Sequence, residues 1–341
     1  MEIPISMDET RRENAAAEGG ERPAGCMGQV RTLPRYEFDL ALRRYPRVLL
    51  LGNGILRLRG GVSWEALLQR IAVNDEIPDD VLRDIPLAMR VEALCGVDVE
   101  GARLRAAREF EPIDACITDT LQRLLSLPWD CVLTTNYTYE AEGVLLGKDR
   151  FDREDRRRAL ACMDGSVRRR DNLHFCYIME RKGLPPLPVW HIHGDLGRSE
   201  SMILSYYSYA RTISRLQKYN RQLKNAFQDA VEAGRTVTPR SWTDWFILGD
   251  VYSVGFGYDF SEFDLWWAAE RKARENARVG RLIAYQDRQE KADPVCALLR
   301  SIGAEVNRVY DYADYTEFYR TVIDDIEARL KRERYEMEYG E

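Results

Sequence analysis

Histidine is scarce in this sequence of 341 residues: it occurs three times, and the seven cysteines are scattered without a C-x-x-C pair. A structural zinc ribbon needs clustered thiolates to close a tetrahedron, so we expect no bound metal. No apolar run approaches the ~20 residues that a membrane span needs, and the N-terminus lacks the apolar core of a secretory signal. These absences predict a cytoplasmic protein without a membrane partner.

A strong charge of either sign is also missing, because 50 basic and 56 acidic side chains leave a formal net charge of −6. A general nucleic-acid binder would need a basic patch or run to neutralise phosphates. We therefore expect no direct nucleic-acid binding. The length allows one large domain or two ordinary ones.

Short β-rich runs alternate with helical segments along most of the chain. Residues 1–35 are rich in Glu, Arg, Gly and Ala, so they are predicted to form a disordered tail. Strands are predicted at residues 47–54, 127–137, 189–195, 244–257, 281–286 and 305–312, and helices at residues 36–45, 64–73, 209–233, 262–276 and 315–336. The alternation predicts an α/β fold in residues 36–341, with a Rossmann-like, doubly wound, mostly parallel sheet. Helical insertions are predicted at about residues 63–127, 138–188 and 205–243.

Polar or glycine-rich residues follow four of the predicted strands: Gly-Asn-Gly, Thr-Thr-Asn-Tyr, His-Gly-Asp and Ser-Val-Gly-Phe-Gly. In doubly wound sheets, ligands bind at the carboxyl ends of the strands, near the point where the strand order reverses. The coincidence of four such strand ends predicts a ligand site at that edge of the sheet.

The first strand ends at Gly52, Asn53 and Gly54. Glycines at this position let the backbone approach a pyrophosphate, whose charge is favoured at a following helix N-terminus. A full dinucleotide fingerprint would place a third small residue where this chain has Arg57. A plain strand-to-loop turn also explains two glycines, so both interpretations stay open at this point.

Asn136 follows the second predicted strand, between Thr135 and Tyr137. A neutral amide can bond a ribose hydroxyl or orient a water without adding charge beside a developing cation. Asparagine also tolerates the irregular backbone of a strand end, which is the structural alternative.

His191 and His193 lie two residues apart in the third predicted strand, where alternate side chains share a face. Histidine suits proton transfer near neutral pH, and His193, beside Gly194 at the strand exit, is the better candidate. His191 also fits a core histidine, and a zinc site formed by His191, His193 and Asp195 is a further alternative. His174 is interpreted as structural.

Ser253 and Gly255 close the fourth predicted strand. Serine and glycine there suit contact with a phosphate or ribose, although an ordinary glycine turn before a helix fits as well. Trp266 and Trp267 lie in that helix and point about 100° apart. They could anchor an interface between copies or pack in the core.

The order of these motifs resembles the sirtuin-like family, in its bacterial branch that lacks a zinc module. LGNG matches the first glycine-rich loop, TTNY a Thr-Gln-Asn-like motif, HGD the catalytic His-Gly, and SVGFG the downstream turn. The resemblance implies that Asn136 holds the nicotinamide ribose and positions the nucleophile, and that His193 acts on ribose hydroxyls or as a general base. It implies contacts with NAD+ from a larger set of residues: Gly52, Asn53, Gly54, Arg57, Thr135, Tyr137, Gly194, Ser253, Gly255, Tyr285 and Gln286.

Bacterial relatives with this constellation are typically NAD-depleting effectors of anti-phage defence, held inactive in a homo-oligomer or by a regulatory or sensor subunit. The resemblance therefore implies an NAD+ glycohydrolase that releases nicotinamide and ADP-ribose. The missing zinc module, which helps frame the acyl-lysine cleft of the deacylases, argues against protein deacylation. Asn53, Leu56 and Thr135 depart from the family pattern, so a catalytically silent sensor or scaffold that binds NAD or ADP-ribose is the alternative.

Overall fold

Continuous apolar runs form one sheet at the centre of the described chain. The computed structural model describes residues 45–59, 63–74, 77–110, 118–163, 172–232, 239–275, 279–287 and 293–339, all within one compact unit, Arg31–Glu341. The predicted tail at residues 1–35 lies outside the described residues, as does the predicted helix at residues 36–45 up to its last residue.

The sheet has eight strands in these residues: β1 (Arg47–Leu51), β2 (Cys131–Thr134), β3 (Leu160–Cys162), β4 (Phe175–Arg181), β5 (Leu184–His191), β6 (Asp250–Val254), β7 (Leu282–Gln286) and β8 (Glu305–Arg308). Their order is β3-β4-β5-β2-β1-β6-β7-β8. The strands from β5 to β8 in this order run parallel, whereas β3 and β4 pair antiparallel at one edge. Numbered among themselves, the six parallel strands lie in the order 3-2-1-4-5-6. The predicted α/β architecture with a mostly parallel sheet is confirmed.

The central strand β1 is buried on both faces, since its residues from Val48 to Leu51 are at most 1% exposed. Val48 and Leu50 pack in one apolar cluster, and Leu49 and Leu51 pack in a second. Successive side chains of a strand point to opposite faces, so the two clusters lie on opposite sides of the sheet.

Helices cover both faces, and twelve lie in the described residues: α1 (Trp64–Ile71), α2 (Asp79–Asp84), α3 (Arg90–Cys95), α4 (Val99–Phe110), α5 (Asp119–Leu125), α6 (Glu140–Leu146), α7 (Arg153–Ala159), α8 (Tyr206–Glu232), α9 (Trp242–Leu248), α10 (Phe263–Glu275), α11 (Pro294–Ser301) and α12 (Tyr315–Tyr339). The apolar cluster around Val48 includes α9 and α10, and the cluster around Leu49 includes α5 and α12. The described part of the insertion at residues 63–127 is helical as predicted, and Ser63 caps α1 by accepting the Ala66 N–H at 3.2 Å. No described helix combines the length and apolar character that crossing a membrane requires.

The insertion predicted at residues 138–188 is wrong as a segment of helix and loop alone. Its first part contains α6 and α7, but β3, β4 and the start of β5 follow and extend the sheet. The apolar run FCYIM at residues 175–179 forms most of β4, and the charged residues on both sides of it conceal the strand pattern. In the insertion predicted at residues 205–243, α8 covers Tyr206–Glu232.

All six predicted strands have different limits in the structure, and two of the differences change an interpretation. Residues 244–248 belong to α9, which begins at a capping box formed by Ser241 and Asp244. Every residue of this short helix is buried, so it lacks the polar face that would distinguish it from a buried strand. The third strand, β5, ends at His191. His193 lies beyond the strand, so the prediction that the two histidines share a strand face is wrong.

Lys272 of α10 is buried and joins that helix to α9. Its Nζ donates to the carbonyl oxygens of Phe246, Ile247 and Gly249 at 3.2, 2.9 and 2.5 Å. Carbonyl groups at the end of a helix have no partner within the helix, so one ammonium group satisfies the C-terminal end of α9. Burial lowers the pKa of Lys272 to about 7.

Replacing Lys272 with methionine is expected to lower the free energy of unfolding by about 1–3 kcal/mol, because buried carbonyl groups lose their donor. Urea unfolding at pH 6, where the ammonium is charged, measures the change. The matched control is Lys331→Met, since the Lys331 side chain is 81% exposed. This control should change the stability by less than about 0.5 kcal/mol, and equal stabilities of the two variants would contradict the capping role.

Candidate functional site

A cleft of about 1480 Å³ opens where the parallel strands end. The carboxyl ends of parallel strands meet at one edge of a sheet, so the loops after β1, β2, β5, β6 and β7 all reach this cleft. Ten of the predicted site residues line it: Asn53, Gly54, Arg57, Thr135, Asn136, Tyr137, His193, Gly255, Tyr285 and Gln286. Gly52, Gly194 and Ser253 are not part of the lining.

The loop after β1 is joined to the loop after β6 by backbone hydrogen bonds. Gly52 N–H donates to the Val254 carbonyl at 2.9 Å, and Gly54 N–H donates to the Gly255 carbonyl at 2.8 Å. A Cβ on Gly52 would collide with the Gly255 carbonyl, and Gly255 itself has φ +70°. The glycines do permit a close backbone approach, but these two amides face protein carbonyls and are not open to a pyrophosphate. Arg57 is exposed and lines the cleft on this side.

Two predicted contact residues direct their hydroxyl groups into the protein. The Tyr137 hydroxyl donates to the Ile203 carbonyl at 2.7 Å. The Tyr285 hydroxyl donates to Asp325 Oδ2 at 2.6 Å. These residues therefore offer the cleft ring surface and not a free hydroxyl group.

Ser253 and Gln286 also differ from their predicted roles. Ser253 is fully buried and is not part of the cleft lining. Gln286 lines the cleft, but its amide nitrogen donates to the Phe256 carbonyl at 3.1 Å. Its side chain thereby holds the loop after β6.

Asn136 is held by a buried histidine and carboxylate. Its backbone carbonyl accepts from His191 Nδ1 at 2.7 Å, and His191 Nε2 lies 2.8 Å from Glu142 Oε1. Both side chains are fully buried. Burial opposes protonation of His191, but Glu142, together with Asp195 and the Asn136 carbonyl, outweighs burial and raises the pKa of this imidazole. The interpretation of His191 as a core histidine is therefore confirmed. The role of Glu142 is not predicted, because no sequence motif in its helix distinguishes it from other acidic residues.

Asp195 is engaged elsewhere, which makes the zinc alternative wrong. Its Oδ2 lies 2.7 Å from Arg198, and its Oδ1 accepts from the Tyr139 hydroxyl at 2.6 Å. Because His191 is also occupied on both ring nitrogens, His191, His193 and Asp195 do not converge on a common point. His174 accordingly faces a backbone carbonyl, that of Arg240, at 2.9 Å.

His193 faces two carboxylates that precede or begin α10. Its Nε2 lies 3.2 Å from Asp264 Oδ1 and 3.5 Å from Glu262 Oε2. The Tyr209 hydroxyl donates to Glu262 Oε2 at 2.7 Å. The three titratable groups place ligand atoms within 4.8 Å of one another. The contact of His193 with Asp264 is an ion pair when the imidazole is protonated, and Glu262 lies beside it as a second carboxylate.

The electrostatics of this cluster fix the protonation of His193. Burial alone would lower the pKa of the imidazole, but Asp264 and then Glu262 raise it to about 9. His193 therefore carries two protons at neutral pH and acts as a donor of hydrogen bonds. Glu262 is absent from the predicted site because its position before α10 has no motif of its own.

Acidic side chains dominate the charge of the cleft. Its described lining contains one guanidinium group, that of Arg57, and six carboxylates. They belong to Glu65, Asp259, Glu262, Asp287, Asp293 and Asp314. This excess of carboxylates favours positive charge that develops within a bound molecule or in a transition state.

A second cavity, of about 730 Å³, lies between α8, α10 and α11. Trp266 and Trp267 line it, and both are partly buried against the core. Packing in the core is thus shown in part, and the role as an interface anchor stays a prediction. Tyr209 lines this cavity as well as the main cleft.

Comparison of the sequence with protein-family models and with curated proteins returned no match. The likeness to the sirtuin-like family therefore depends on the four strand-end motifs and stays a prediction.

The His193 ion pair predicts a stability that depends on pH. Its folded-state pKa of about 9 lies above the ordinary value of 6.5, so its contribution is complete below about pH 6.5 and is lost as the pH rises through about 9. A shift of this size corresponds to about 3 kcal/mol. Urea unfolding of wild type and His193→Gln at pH 6 and pH 10 measures it, and the stability difference should be larger at pH 6. A difference that does not change with pH would contradict the ion pair.

Proposed function

We propose that this chain hydrolyses NAD+ to nicotinamide and ADP-ribose. The observation that carries the proposal is that Asn136 and His193 line one cleft, at the ends of the neighbouring strands β2 and β5. The parallel strands lie in the order 3-2-1-4-5-6, which is the order of the Rossmann-like, doubly wound sheet that binds dinucleotides. The cleft volume of about 1480 Å³ exceeds that of ordinary small-molecule pockets and accommodates a dinucleotide.

The reaction needs little acid catalysis, because the nicotinamide of NAD+ is already a cationic leaving group. Breaking the bond between C1′ and the ring nitrogen returns the electron pair to nicotinamide and leaves positive charge on the ribose. The acidic cleft stabilises that charge. Asn136 supplies an uncharged amide that orients a ribose hydroxyl or the attacking water. Of the two roles left open for His193, its protonation favours donation to the ribose hydroxyls.

The cellular role in this proposal follows from the motif resemblance alone. An effector that depletes NAD+ in bacterial anti-phage defence must be restrained until infection. A homo-oligomer or a regulatory or sensor subunit would supply that restraint in the cytoplasm. Nothing in the described residues points to a protein-deacylation cleft of the zinc-containing kind.

The second candidate function is a catalytically silent sensor or scaffold that binds NAD or ADP-ribose. One observation favours it: the Nε2 atom of His193 is already engaged by Asp264. In this state the imidazole is not a base. Binding without turnover is the property that separates this function from hydrolysis.

Asn136→Ala is expected to lower the rate of nicotinamide release from NAD+ by about 100-fold or more, because the ribose or water is no longer held in place. Chromatography of nicotinamide released by the full chain measures the rate. Products of the neighbouring genes are included and cells are challenged with phage, since the proposal requires a restrained enzyme.

Asn220→Ala is the matched control, because Asn220 of α8 bonds to Arg271 and is not part of the cleft lining. It should keep the wild-type rate. A wild-type chain that releases no more nicotinamide than Asn136→Ala under these conditions would exclude hydrolysis. Intact NAD+ or ADP-ribose recovered from that chain would then support the sensor.

A further inference from the structure

Hydrolysis by the scheme above requires a group that takes a proton from the attacking water. The Asn136 amide is not a base at neutral pH. His193 already carries the proton that it shares with Asp264, at 3.2 Å. The cleft lining contains several carboxylates, and a carboxylate can act as a general base.

Glu262 is the carboxylate whose surroundings fit this task. It lines the cleft, and its Oε2 lies 3.5 Å from His193 Nε2. The Tyr209 hydroxyl donates to the same oxygen at 2.7 Å, which fixes the orientation of the carboxylate. Asp264, the other carboxylate beside His193, is fully buried and is not part of the lining. Of these two groups, Glu262 is therefore the one that a water in the cleft can reach.

Three other acidic groups of the cleft bond to groups outside the His193 cluster. Asp259 accepts from the Ser261 N–H at 2.7 Å, and Asp293 caps α11. Asp287 accepts from the Tyr315 hydroxyl at 2.9 Å. Among the described residues, the carboxylates within ion-pair distance of His193 are those of Glu262 and Asp264.

We propose that Glu262 takes the proton from the water that attacks C1′ of the nicotinamide ribose, an inference that rests on the proposed hydrolysis of NAD+. The water oxygen forms the new bond to C1′ as the bond between C1′ and the nicotinamide nitrogen breaks. The electron pair of the broken bond goes to that nitrogen, and the water proton goes to the Glu262 carboxylate. The products are ADP-ribose and neutral nicotinamide, and no further reactant is needed for the balance.

The charges around Glu262 suit a general base. Burial raises the pKa of this carboxyl group, and the His193 imidazolium opposes the rise. A carboxylate with a raised pKa accepts a proton more readily than one in bulk water. The charges of the His193 imidazolium and the Asp264 carboxylate cancel. The Glu262 carboxylate therefore leaves the cluster with a net negative charge, which stabilises the developing ribosyl cation.

Glu262→Gln keeps the shape of the side chain and removes the basic oxygen. Nicotinamide release is therefore expected to fall about 100-fold or more under conditions where wild type is active. Binding of ADP-ribose, measured by titration calorimetry, should stay within about threefold of wild type, because the group acts on the water. Glu270→Gln in α10, where Glu270 pairs with Arg274 at the surface, is the matched control and should keep the wild-type rate.

Azide distinguishes a missing base from a damaged site, because this anion attacks C1′ without giving up a proton. In Glu262→Ala, azide is expected to restore nicotinamide release and to form ADP-ribosyl azide. It should not rescue Asn136→Ala, in which positioning is lost. All assays contain EDTA, so that no metal ion occupies the space between His193 and Glu262.

Wild-type rates in Glu262→Gln, or a failure of azide to rescue Glu262→Ala, would overturn the assignment of Glu262 and leave the hydrolysis intact. A wild-type chain that releases no nicotinamide would overturn the hydrolysis and the assignment together. Melting temperatures of both variants close to that of wild type establish that the lost activity does not reflect unfolding.

Discussion

Two backbone hydrogen bonds tie the loop after β1 to the loop after β6, and the cleft depends on this junction. Gly52 and Gly54 donate to the carbonyl groups of Val254 and Gly255. A side chain at Gly52 would force the loops apart, because its Cβ would collide with the Gly255 backbone. In the sheet, β2 and β5 lie on one side of β1, and β6 and β7 lie on the other. The ends of β2 and β5 form the wall of the cleft that carries Asn136 and His193.

Two histidines separated by one residue have different tasks because β5 ends between them. His191, the last residue of the strand, is fully buried and connects Glu142 to the backbone of Asn136. His193 lies past the strand end and faces the carboxylates before and within α10. Each histidine has a carboxylate partner. The His191–Glu142 pair is buried and holds the backbone of Asn136, whereas His193 lines the cleft. The different partners explain why only one of the two is a candidate for contact with a ligand.

Local patterns predict the centre of this fold and fail where burial or charge hides the pattern. The apolar runs of β1 and β7 and the amphipathic α12 are recognisable from sequence because each shows the periodicity of its element. The strand β4 is concealed by flanking charges, and α9 has no polar face to distinguish it from a strand. The strand ends also predict the cleft, because polar residues that directly follow a buried strand indicate a ligand site at that edge of the sheet. The pairing of His193 with Glu262 joins distant parts of the chain, and no local pattern encodes it.

The backbone conformation alone requires the glycine of the His-Gly motif, Gly194, whether or not the site is catalytic. It has φ +87°, and a Cβ there would collide with the backbone of Ser201. A relative without any turnover would still keep this glycine, because the fold needs it, and would keep His191 for the same reason. His193 is constrained as well, by its ion pair with Asp264. The backbone sets no such requirement for Asn136 and Glu262, so under the proposed hydrolysis the retention of these two side chains among relatives would mark the activity.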